Sequence, residues 1–416
     1  MAKRKMRKSN LKSLPIVLSC LFFFAGCASA LPPEGEPPSG SVEPKIDFVT
    51  EWGGDVVPVY AEEVAEYLSS SGKEQTGILL AWGESTEVTQ IRQYITFSWE
   101  SSEADAPYVL TFSRDAAFEH SFRVVSQNEQ ITLGFFVPGE TYYWNVTAAS
   151  GEQSDTDSFT VEDKTARFLY VPGLDNVRDL GGWKTESGKR VKYGMVYRGT
   201  QLNGYDNGTK LTEEGREVFD LLGIRSEIDF RTPGVDDGGQ TESAIGGTAN
   251  YLKAPFYAYT CIFPEFVQDL PVYRDFDERA PHAIRSVFEF LAEEDNYPVY
   301  IHCNAGADRT GTIAFLVNGL LGVDYEDLTT DFELTSFSGI GRRWRGDLYD
   351  AETLGFGVMQ DDSDNYVAWG KMYDYMMTYY GTEEHTLSSA IRKYLSAVCG
   401  VTVDTMDKVC GILLSE

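Results

Sequence analysis

The sequence predicts two folded parts, an all-β sandwich followed by an α/β domain in which helices flank a mostly parallel central sheet. The chain has 416 residues, more than one hydrophobic core usually supports. Between about residue 94 and residue 161, short alternating apolar stretches are separated by turn residues, a pattern typical of antiparallel strands. Beyond Lys164, strand-like and helix-like segments alternate to the end of the chain, which is typical of a parallel sheet.

The composition restricts the possible partners. The chain carries 35 Lys and Arg against 64 Asp and Glu, a net charge of −29. Such a surface repels phosphate backbones, so no nucleic-acid partner is predicted. A site for an anionic substrate must therefore be a local positive pocket. The sequence contains 4 histidines and no metal-ligand spacing among them, so neither a metal nor another cofactor is predicted.

The first residues have the features of a targeting segment. Basic residues precede an apolar run from Leu14 to Ala25 that is too short for a permanent membrane span. The following "FAGC" resembles the lipobox of bacterial lipoproteins, in which the cysteine is diacylated. This resemblance implies a signal peptide over residues 1–26, lipidation at Cys27, and an exported cell-surface lipoprotein anchored to the membrane by its lipid. The alternative is cleavage after the small residues Ala28, Ser29 and Ala30, which also predicts export.

Residues 27–48 are rich in Pro, Gly, Ser and Glu, and this composition predicts a disordered tether. An amphipathic segment then predicts a short helix within Tyr60–Ser70. The strands that follow, including "FSWE" with Trp99 in the core and "VPGETYYWNVTA" with an alternating apolar face, resemble a fibronectin type III or related immunoglobulin-like module. The resemblance implies such a sandwich over residues 49–164, preceded by the helix and acting as a spacer or as a binding module.

Residues 165–416 form the predicted α/β domain. "LTEEGREVFDLLGI" predicts a helix capped by Thr212 and ended by Gly223, and "RSEIDFR" predicts a strand. Apolar residues at helical spacing from Ile284 to Leu291 predict another helix. The short apolar strand "VYI" then leads into His302, and a strongly apolar helix ends near Gly322.

The segment "YIHCNAGADRTGT" places a tight loop between that strand and that helix. Backbone N–H groups and the positive end of the helix dipole would then point into one small cavity, which makes an anion site. Cys303 at its base would be held as the thiolate, a nucleophile at neutral pH. Arg309 would clamp two phosphoryl oxygens with its planar fork. The predicted phosphate-binding loop comprises Asn304, Ala305, Gly306, Ala307, Asp308 and Arg309.

This Cys-X5-Arg spacing resembles the signature loop of cysteine-based protein tyrosine phosphatases, and "HCNAGADRTG" is similar to the form found in a bacterial branch. Four further segments, "NVRDLGG", "VYRGTQL", "IDFRT" and "DFELT", resemble other motifs of that branch in the same order. The resemblance implies hydrolysis of phosphomonoesters through a phosphocysteine intermediate, catalysed by Cys303, Arg309 and Asp308. The implied substrates are phosphotyrosine proteins or peptides, or small phosphomonoesters, with phosphoserine, phosphothreonine or phosphoinositides accepted by several members.

Supporting roles follow from position. Thr310 would stabilise the leaving thiolate, and His302 would orient the loop. Ala307 stands where the family usually has Lys, which lowers the expectation of activity on multiply phosphorylated inositides. Asp308 is a general acid or a brace for Arg309, and Asp229 is an acid or a structural partner of Arg178 or Arg231. The other candidate acids are Asp236, Asp237, Asp275 and Asp277.

Three other functions remain open at this stage. The first is a phosphatase of inositol phosphates or phosphoinositides. The second is a surface interaction lipoprotein without catalysis, against which the presence of both Cys303 and Arg309 argues. The third, sulfur transfer of the rhodanese type, fits the Arg-Thr-Gly ending poorly. The sequence leaves open whether Cys261, Cys399 and Cys410 form disulfides, and whether the aromatic segment 251–266 is a lid or part of the core.

Overall fold

The computed structural model describes residues 46–58, 60, 62–84, 95–101, 106–265, 276–341, 343–344 and 360–415. The predicted signal peptide, the lipidation residue Cys27, most of the predicted tether and Asp275 lie outside these residues. In the described part, none of the helices combines the length and the apolar composition that a bilayer crossing requires.

The strands up to residue 161 form two sheets, with the orders β1-β3-β6 and β2-β8-β7-β4-β5. Strand β4 pairs antiparallel with both β5 and β7, and β1 pairs antiparallel with β3. Strand β2 pairs with β8 in parallel. The bounds are β1 Ile46–Phe48, β2 Val56–Val57, β3 Ile95–Ser101, β4 Tyr108–Ser113, β5 Ser121–Ser126, β6 Gln130–Leu133, β7 Thr141–Thr147 and β8 Asp157–Val161.

Residue contacts divide the chain into two compact units, and the described part of the first comprises 46–55, 96–101, 106–132 and 141–159. Its core is aromatic. Trp99 and the β7 residue Trp144 are buried, as the sequence predicts. The Phe97 ring on β3 lies near the rings of Trp52, Phe112, Trp144 and Phe159, so side chains of both sheets meet in this core. The fibronectin type III assignment stays a prediction.

The second unit contains the remaining described residues and is built around a five-stranded sheet of order β12-β11-β13-β10-β9. All neighbouring strands are parallel except β9, which pairs antiparallel with β10 at the edge. The predicted, mostly parallel sheet is therefore confirmed. The bounds are β9 Arg178–Asp179, β10 Val196–Gly199, β11 Ser226–Asp229, β12 Asn250–Lys253 and β13 Val299–His302.

The described α-helices are α1 Glu62–Ser69, α2 Lys73–Glu84, α3 Glu213–Leu221, α4 Ala280–Leu291, α5 Asp308–Leu320, α6 Tyr325–Glu333, α7 Gln360–Tyr380, α8 Leu387–Ala397 and α9 Val403–Leu413. Short 3-10 helices cover Tyr259–Ile262, Glu294–Asn296 and Leu334–Phe337. The predicted helices match α3, α4 and α5. The Thr212 hydroxyl accepts a hydrogen bond from the Gly215 amide as the N-cap of α3, and Gly223 follows the helix with φ +67°.

Helices α1 and α2 belong to the second unit. The predicted helix within Tyr60–Ser70 is α1, whose Tyr67 hydroxyl donates a buried hydrogen bond to Glu333 on α6. Val64 and Tyr67 recur at helical spacing in the sequence, and both side chains are buried in the structure. The periodicity therefore predicted the buried face of α1. The predicted domain boundaries at residues 48/49 and 164/165 stay predictions.

The four described cysteines, Cys261, Cys303, Cys399 and Cys410, are free thiols. Cys261 lies in the aromatic segment after β12, in the 3-10 helix Tyr259–Ile262. Phe256, Tyr259 and Phe263 of the same segment are buried in the core of the second unit. The structure therefore decides the open question in favour of the core, since these side chains do not form an exposed lid.

Candidate active site

The loop after β13 lies at the centre of one edge of the sheet. Strand β13 is flanked by β10 and β11, and His302, its last residue, is level with Gly199 on β10 and Asp229 on β11. Parallel strands bring their carboxyl ends to the same edge, where open α/β sheets usually bind ligands. The loop then enters α5, which begins at Asp308. The predicted strand, loop and helix are confirmed.

Neighbouring segments hold the loop carbonyls. The Asn304 carbonyl accepts a hydrogen bond from the Gln201 amide at 3.1 Å, and the Ala305 carbonyl accepts one from Asn176 Nδ2 at 3.1 Å. The Gly306 carbonyl accepts one from Arg198 Nη2 at 2.8 Å. In a planar trans peptide the carbonyl and the following N–H point in opposite directions. The three amides that follow these carbonyls therefore point away from the supporting residues, as an anion cradle requires.

Gly306 is required by the geometry of this loop. Its φ of +68° is a conformation that other residues rarely adopt, and an added Cβ would lie 2.3 Å from the Gly199 carbonyl oxygen. The loop therefore rests directly on the end of β10. A side chain at this position would push the two segments apart and spoil the cradle.

Cys303 is buried at the base of the loop. Burial opposes ionisation of the thiol, but the charge of Arg309 and the nearby hydroxyl and amide of Thr310 outweigh it, so the pKa of Cys303 is lowered. The negative charge of Asp308 acts in the opposite direction and raises this pKa. Cys303 is thus disposed to be a thiolate, the form that acts as a nucleophile.

His302 lies directly beneath the loop. Its Nε2 is 2.9 Å from Glu227 Oε1 and its Nδ1 is 3.1 Å from the Cys303 carbonyl oxygen. Burial lowers the pKa of His302, but the charges of Asp229 and Glu227 and the hydrogen bond to Glu227 raise it overall. A protonated ring donates through both nitrogens, so His302 can tie the start of the loop to β11. The predicted orienting role of His302 stays a prediction.

Arg309 reaches the same edge of the sheet from the first turn of α5. Its Nη1 lies 2.7 Å from Asp236 Oδ2 and donates to the Phe230 carbonyl at 3.3 Å. The side chains of Arg309 and Asp236 are 16% and 24% exposed, so the pair is within reach of a ligand. Each contact of the guanidinium with Asp236 occupies an N–H that a bound phosphate could use instead.

A buried charge network supports the loop from below. Asp331 on α6 accepts from Arg178 Nε at 2.9 Å through one carboxylate oxygen and from Arg198 Nη1 through the other. Arg178 also donates to Asn176 Oδ1, and the Asn176 backbone has a φ of +55°. Two of the residues that hold the loop carbonyls thus depend on one carboxylate, Arg198 directly and Asn176 through Arg178. The motifs "NVRDLGG", "VYRGTQL" and "DFELT" meet at this network.

Most of the candidate acids are held by cations. Asp229 accepts two hydrogen bonds from the Arg231 guanidinium and one from Lys253 Nζ. Burial raises its pKa, but the charges of His302, Arg231 and Lys253 outweigh this effect and lower the pKa strongly. Its structural partner is therefore Arg231, whereas Arg178 pairs with Asp331. Asp237 is bound by Lys253, and Asp277 is bound by Arg279 through both oxygens. These three acids have structural partners, so they are poor proton donors.

Asp308 is also occupied. Arg343 Nε donates to Asp308 Oδ1 at 2.7 Å and Arg343 Nη2 donates to Oδ2 at 3.1 Å, while the Tyr259 hydroxyl donates to Oδ1. Burial raises the pKa of Asp308, but Arg343 and Tyr259 outweigh it and lower the pKa overall. The partner of Asp308 is Arg343, which sequence reasoning did not identify. These contacts favour a structural role, and its predicted catalytic role stays a prediction.

One group of donor atoms has metal-like spacing in the part of the chain that the structure describes. Single donor atoms of Glu227, Asp229 and His302 lie within 4.8 Å of one another. Each is already engaged, because Asp229 is paired with Arg231 and Lys253, and Glu227 accepts from His302, Gln240 and Ser243. A cation here would compete with these hydrogen bonds and with two fixed positive charges.

Sequence reasoning missed four residues that complete the site. The Gln201 amide and Asn207 Nδ2 both donate to the Asn304 carbonyl, and Tyr259 and Arg343 hold Asp308. For Gln201, the signal was its place in "VYRGTQL" beside a loop motif. Asn207, Tyr259 and Arg343 carried no recognisable pattern, because each reaches the loop from a distant segment.

Comparison with known proteins agrees with this geometry. Residues 169–415 match the model of the tyrosine phosphatase family, more than half of the chain. The chain belongs to the tyrosine phosphatase family. A putative tyrosine-protein phosphatase of Cupriavidus necator is 28% identical over 177 residues, 39% of this chain and 61% of that protein. A tyrosine-protein phosphatase of Nostoc commune is 24% identical over 137 residues, 30% of this chain and 45% of that protein. The chain thus spans about half the length of these relatives of the tyrosine phosphatase family.

Two solved structures are also similar to part of this chain. The crystal structure of TpbA from P. aeruginosa has 16% identity and covers 44% of this chain and 90% of that one, with a TM-score of 0.23. The core catalytic domain of the PP-IP phosphatase SIW14 from S. cerevisiae, in complex with citrate, has 14% identity and covers 38% and 83%, with a TM-score of 0.22.

Proposed function

We propose that this chain is a protein tyrosine phosphatase that hydrolyses phosphomonoesters through a phosphocysteine intermediate at Cys303. The observation that carries the proposal is the position of the Cys303 thiol, whose pKa is lowered, at the base of a loop whose carbonyls are held by neighbouring segments, which leaves the following amides pointing away from those segments. Arg309 stands at the other end of the same loop. A nucleophile and a cradle for a phosphoryl group are thus joined in a single loop.

In the first step, the phosphoryl group binds the loop amides and the Arg309 guanidinium, displacing the Asp236 carboxylate from that guanidinium. The Cys303 sulfur attacks phosphorus, the S–P bond forms, and the bond from phosphorus to the leaving oxygen breaks. The leaving phenolate or alkoxide takes a proton from a carboxylic acid. Arg309 and the amides hold the negative charge that spreads over the phosphoryl oxygens in the transition state.

In the second step, a water molecule attacks phosphorus and gives a proton to the same carboxylate, while the S–P bond breaks. Inorganic phosphate is released and the thiolate is restored. Thr310 stabilises that thiolate, because its hydroxyl and amide already favour the ionised form of Cys303. The chemistry of both steps is supplied by residues of the chain and by water.

We assign the acid and base roles to Asp236. It contacts Arg309 directly, its side chain is 24% exposed, and its other carboxylate oxygen accepts only from the Thr232 amide among the contacts of the described residues. A bound phosphate takes Arg309 away from Asp236 and leaves this carboxylate free to accept a proton. By contrast, Asp229, Asp237, Asp277 and Asp308 are paired with Arg or Lys residues outside the phosphate-binding loop, and those pairs remain when phosphate binds. Asp236 also lies on a Gly-rich turn, where small backbone movements can bring it over the leaving group.

Replacing Asp236 by Asn is expected to slow hydrolysis of a phosphotyrosine peptide by about 10²- to 10³-fold. Hydrolysis of p-nitrophenyl phosphate should fall far less, because its leaving group needs little help from an acid. Steady-state kcat for both substrates measures the difference. Asp220→Asn, a surface change on α3, serves as the control and should leave both rates unchanged. Equal losses on the two substrates would contradict the assignment of the acid.

The substrate class is tested by competition on the full-length chain. We expect phosphotyrosine peptides to be preferred, since Ala307 adds no positive charge to the loop. Phosphotyrosine peptide, phosphoserine peptide and inositol phosphates are offered together, without added metal, and the loss of each phosphorylated substrate is followed by mass spectrometry. A preference for inositol phosphates would replace the proposal by the inositol phosphatase function. No turnover of any substrate by the reduced protein would remove the enzymatic proposal.

We also propose that the chain is an exported lipoprotein anchored through Cys27 and that its N-terminal strands form a fibronectin type III-like module. The basic and apolar segments of residues 1–26 and the "FAGC" sequence support the anchor. The two sheets and their shared aromatic core support the module. Incorporation of a labelled fatty acid that is lost in Cys27→Ala would support the anchor, and equal labelling of both proteins would oppose it.

A further inference from the structure

Arg343 projects toward the loop from a fixed piece of backbone. Its amide donates to Ser336 Oγ at 2.8 Å, and that hydroxyl donates to the Arg343 carbonyl at 3.0 Å. Ser336 belongs to the 3-10 helix Leu334–Phe337, and the residue after Arg343, Trp344, is buried. The backbone from which the Arg343 side chain extends is therefore held in place.

The ion pair with Asp308 has the geometry of a strong contact. Two guanidinium nitrogens donate to two carboxylate oxygens, at 2.7 and 3.1 Å, and the two side chains are only 14% and 29% exposed. A bidentate pair of this kind fixes the orientation of the carboxylate as well as its charge. Screening by salt is weaker for such a partly buried pair than for an exposed one.

Tyr259 holds the same carboxylate from the other side. Its hydroxyl donates to Asp308 Oδ1, and its amide donates to Thr312 Oγ1 at 2.9 Å. Thr312 in turn donates to the Asp308 carbonyl at 3.0 Å. Tyr259 has a φ of +62°, an uncommon conformation for a residue with a side chain. The carboxylate of Asp308 is therefore held between two side chains from separate segments.

Asp308 is the immediate neighbour of Arg309, and an uncompensated carboxylate here would harm the loop in two ways. Its charge would oppose the thiolate of Cys303, and it would compete with a phosphate for the Arg309 guanidinium. We propose that Arg343 is a positioning residue of the phosphatase site, which prevents both effects by orienting and neutralising Asp308. The effect of Arg343 on the Cys303 thiol does not depend on the proposed function, but an effect on phosphatase turnover rests on it.

The ionisation of Cys303 depends on all the groups around it. Burial and Asp308 disfavour the thiolate, whereas Arg309 and Thr310 favour it. The ionisable side chains of Arg198, Tyr259 and Tyr300 also interact with the thiolate, and His302 contacts the Cys303 carbonyl. Asp308 itself is faced by Arg343, Tyr259 and Arg309. Arg343 acts on Cys303 through Asp308, to which it supplies a positive charge in a bidentate pair.

The test measures the Cys303 thiol directly and does not require turnover. The full-length chain is alkylated with iodoacetamide across a range of pH, and mass spectrometry follows the peptide that contains Cys303. In Arg343→Gln we expect the midpoint to move to higher pH and alkylation at about pH 5.5 to slow by roughly three- to tenfold. Arg343→Lys retains the charge and should stay close to the wild type. Arg392→Gln, which breaks an exposed pair with Asp407, should have no effect.

The double variant Arg343→Gln/Asp308→Asn decides the mechanism. If Arg343 acts through Asp308, removing the carboxylate as well should bring the midpoint back to the wild-type value or below it. A midpoint unchanged in Arg343→Gln would overturn the proposal. So would a double variant that keeps the shift of the single variant, or an Arg343→Lys shift as large as that of Arg343→Gln. If the shifts appear as expected but the wild type hydrolyses no phosphomonoester, the proposed function fails and the role of Arg343 stands.

Discussion

Replacing Cys303 by Ser is expected to abolish hydrolysis of a phosphotyrosine peptide, with a loss of at least about 10⁴-fold in kcat. The loop lowers the pKa of the Cys303 thiol and so favours the nucleophilic thiolate, whereas a serine hydroxyl ionises only at far higher pH. Steady-state release of inorganic phosphate at neutral pH measures the loss.

The loop should still bind anions in this variant, because its amides and Arg309 are unchanged. Inhibition of the wild type by inorganic phosphate and binding of phosphate to Cys303→Ser should therefore have similar affinities. Cys410→Ser is the matched control, since Cys410 is a half-buried thiol on α9 that belongs to the C-terminal helices. Turnover by Cys303→Ser within tenfold of the wild type would refute the assigned nucleophile.

Replacing Asp331 by Ala is expected to lower the free energy of unfolding by about 3–5 kcal/mol. Arg178 and Arg198 are fully buried, and both would lose the carboxylate that compensates them. Burial lowers the pKa of Arg198 and the neighbouring charge of Arg178 lowers it further, to about 10, so this guanidinium is already costly to ionise. Urea unfolding followed by tryptophan fluorescence measures the change.

The matched control is Asp407→Ala, which breaks the exposed pair with Arg392 and should cost no more than about 1 kcal/mol. A similar, small cost for Asp331→Ala would show that the network does not hold the fold. The network also predicts acid sensitivity. Burial raises the pKa of Asp331, but Arg178 and Arg198 lower it overall, so its contribution is present above the unfolded-state pKa and is lost as the pH falls through the folded-state pKa.

The local features of the site could be predicted from the sequence because they depend on residues close together in the chain. The apolar strand before Cys303, the small residues Ala305 and Gly306, and the apolar helix after Arg309 are contiguous. The cap at Thr212 and the stop at Gly223 were predicted for the same reason. Local backbone chemistry decides each of these.

The partners of the loop could not be predicted because they come from distant segments. Asp331 is more than 150 residues beyond Arg178, and only the fold places it between Arg178 and Arg198. Arg343 follows Asp308 by 35 residues and lies in no recognised motif. The sequence could not rank the acids either, because their roles depend on which of them a cation already holds. Asp229 and Arg231 are two residues apart, yet only the fold shows that Asp229 pairs with Arg231 and not with Arg178.

The central claim is that the phosphoryl group passes through the sulfur of Cys303. The most direct measurement is a rapid acid quench of the full-length chain during turnover of a phosphotyrosine peptide, followed by mass spectrometric mapping of the phosphoenzyme. The account predicts a phosphate on Cys303 in the peptide that contains the loop, and none in Cys303→Ser. A phosphate on a different residue, or turnover with no phosphate on Cys303 at any quench time, would contradict it.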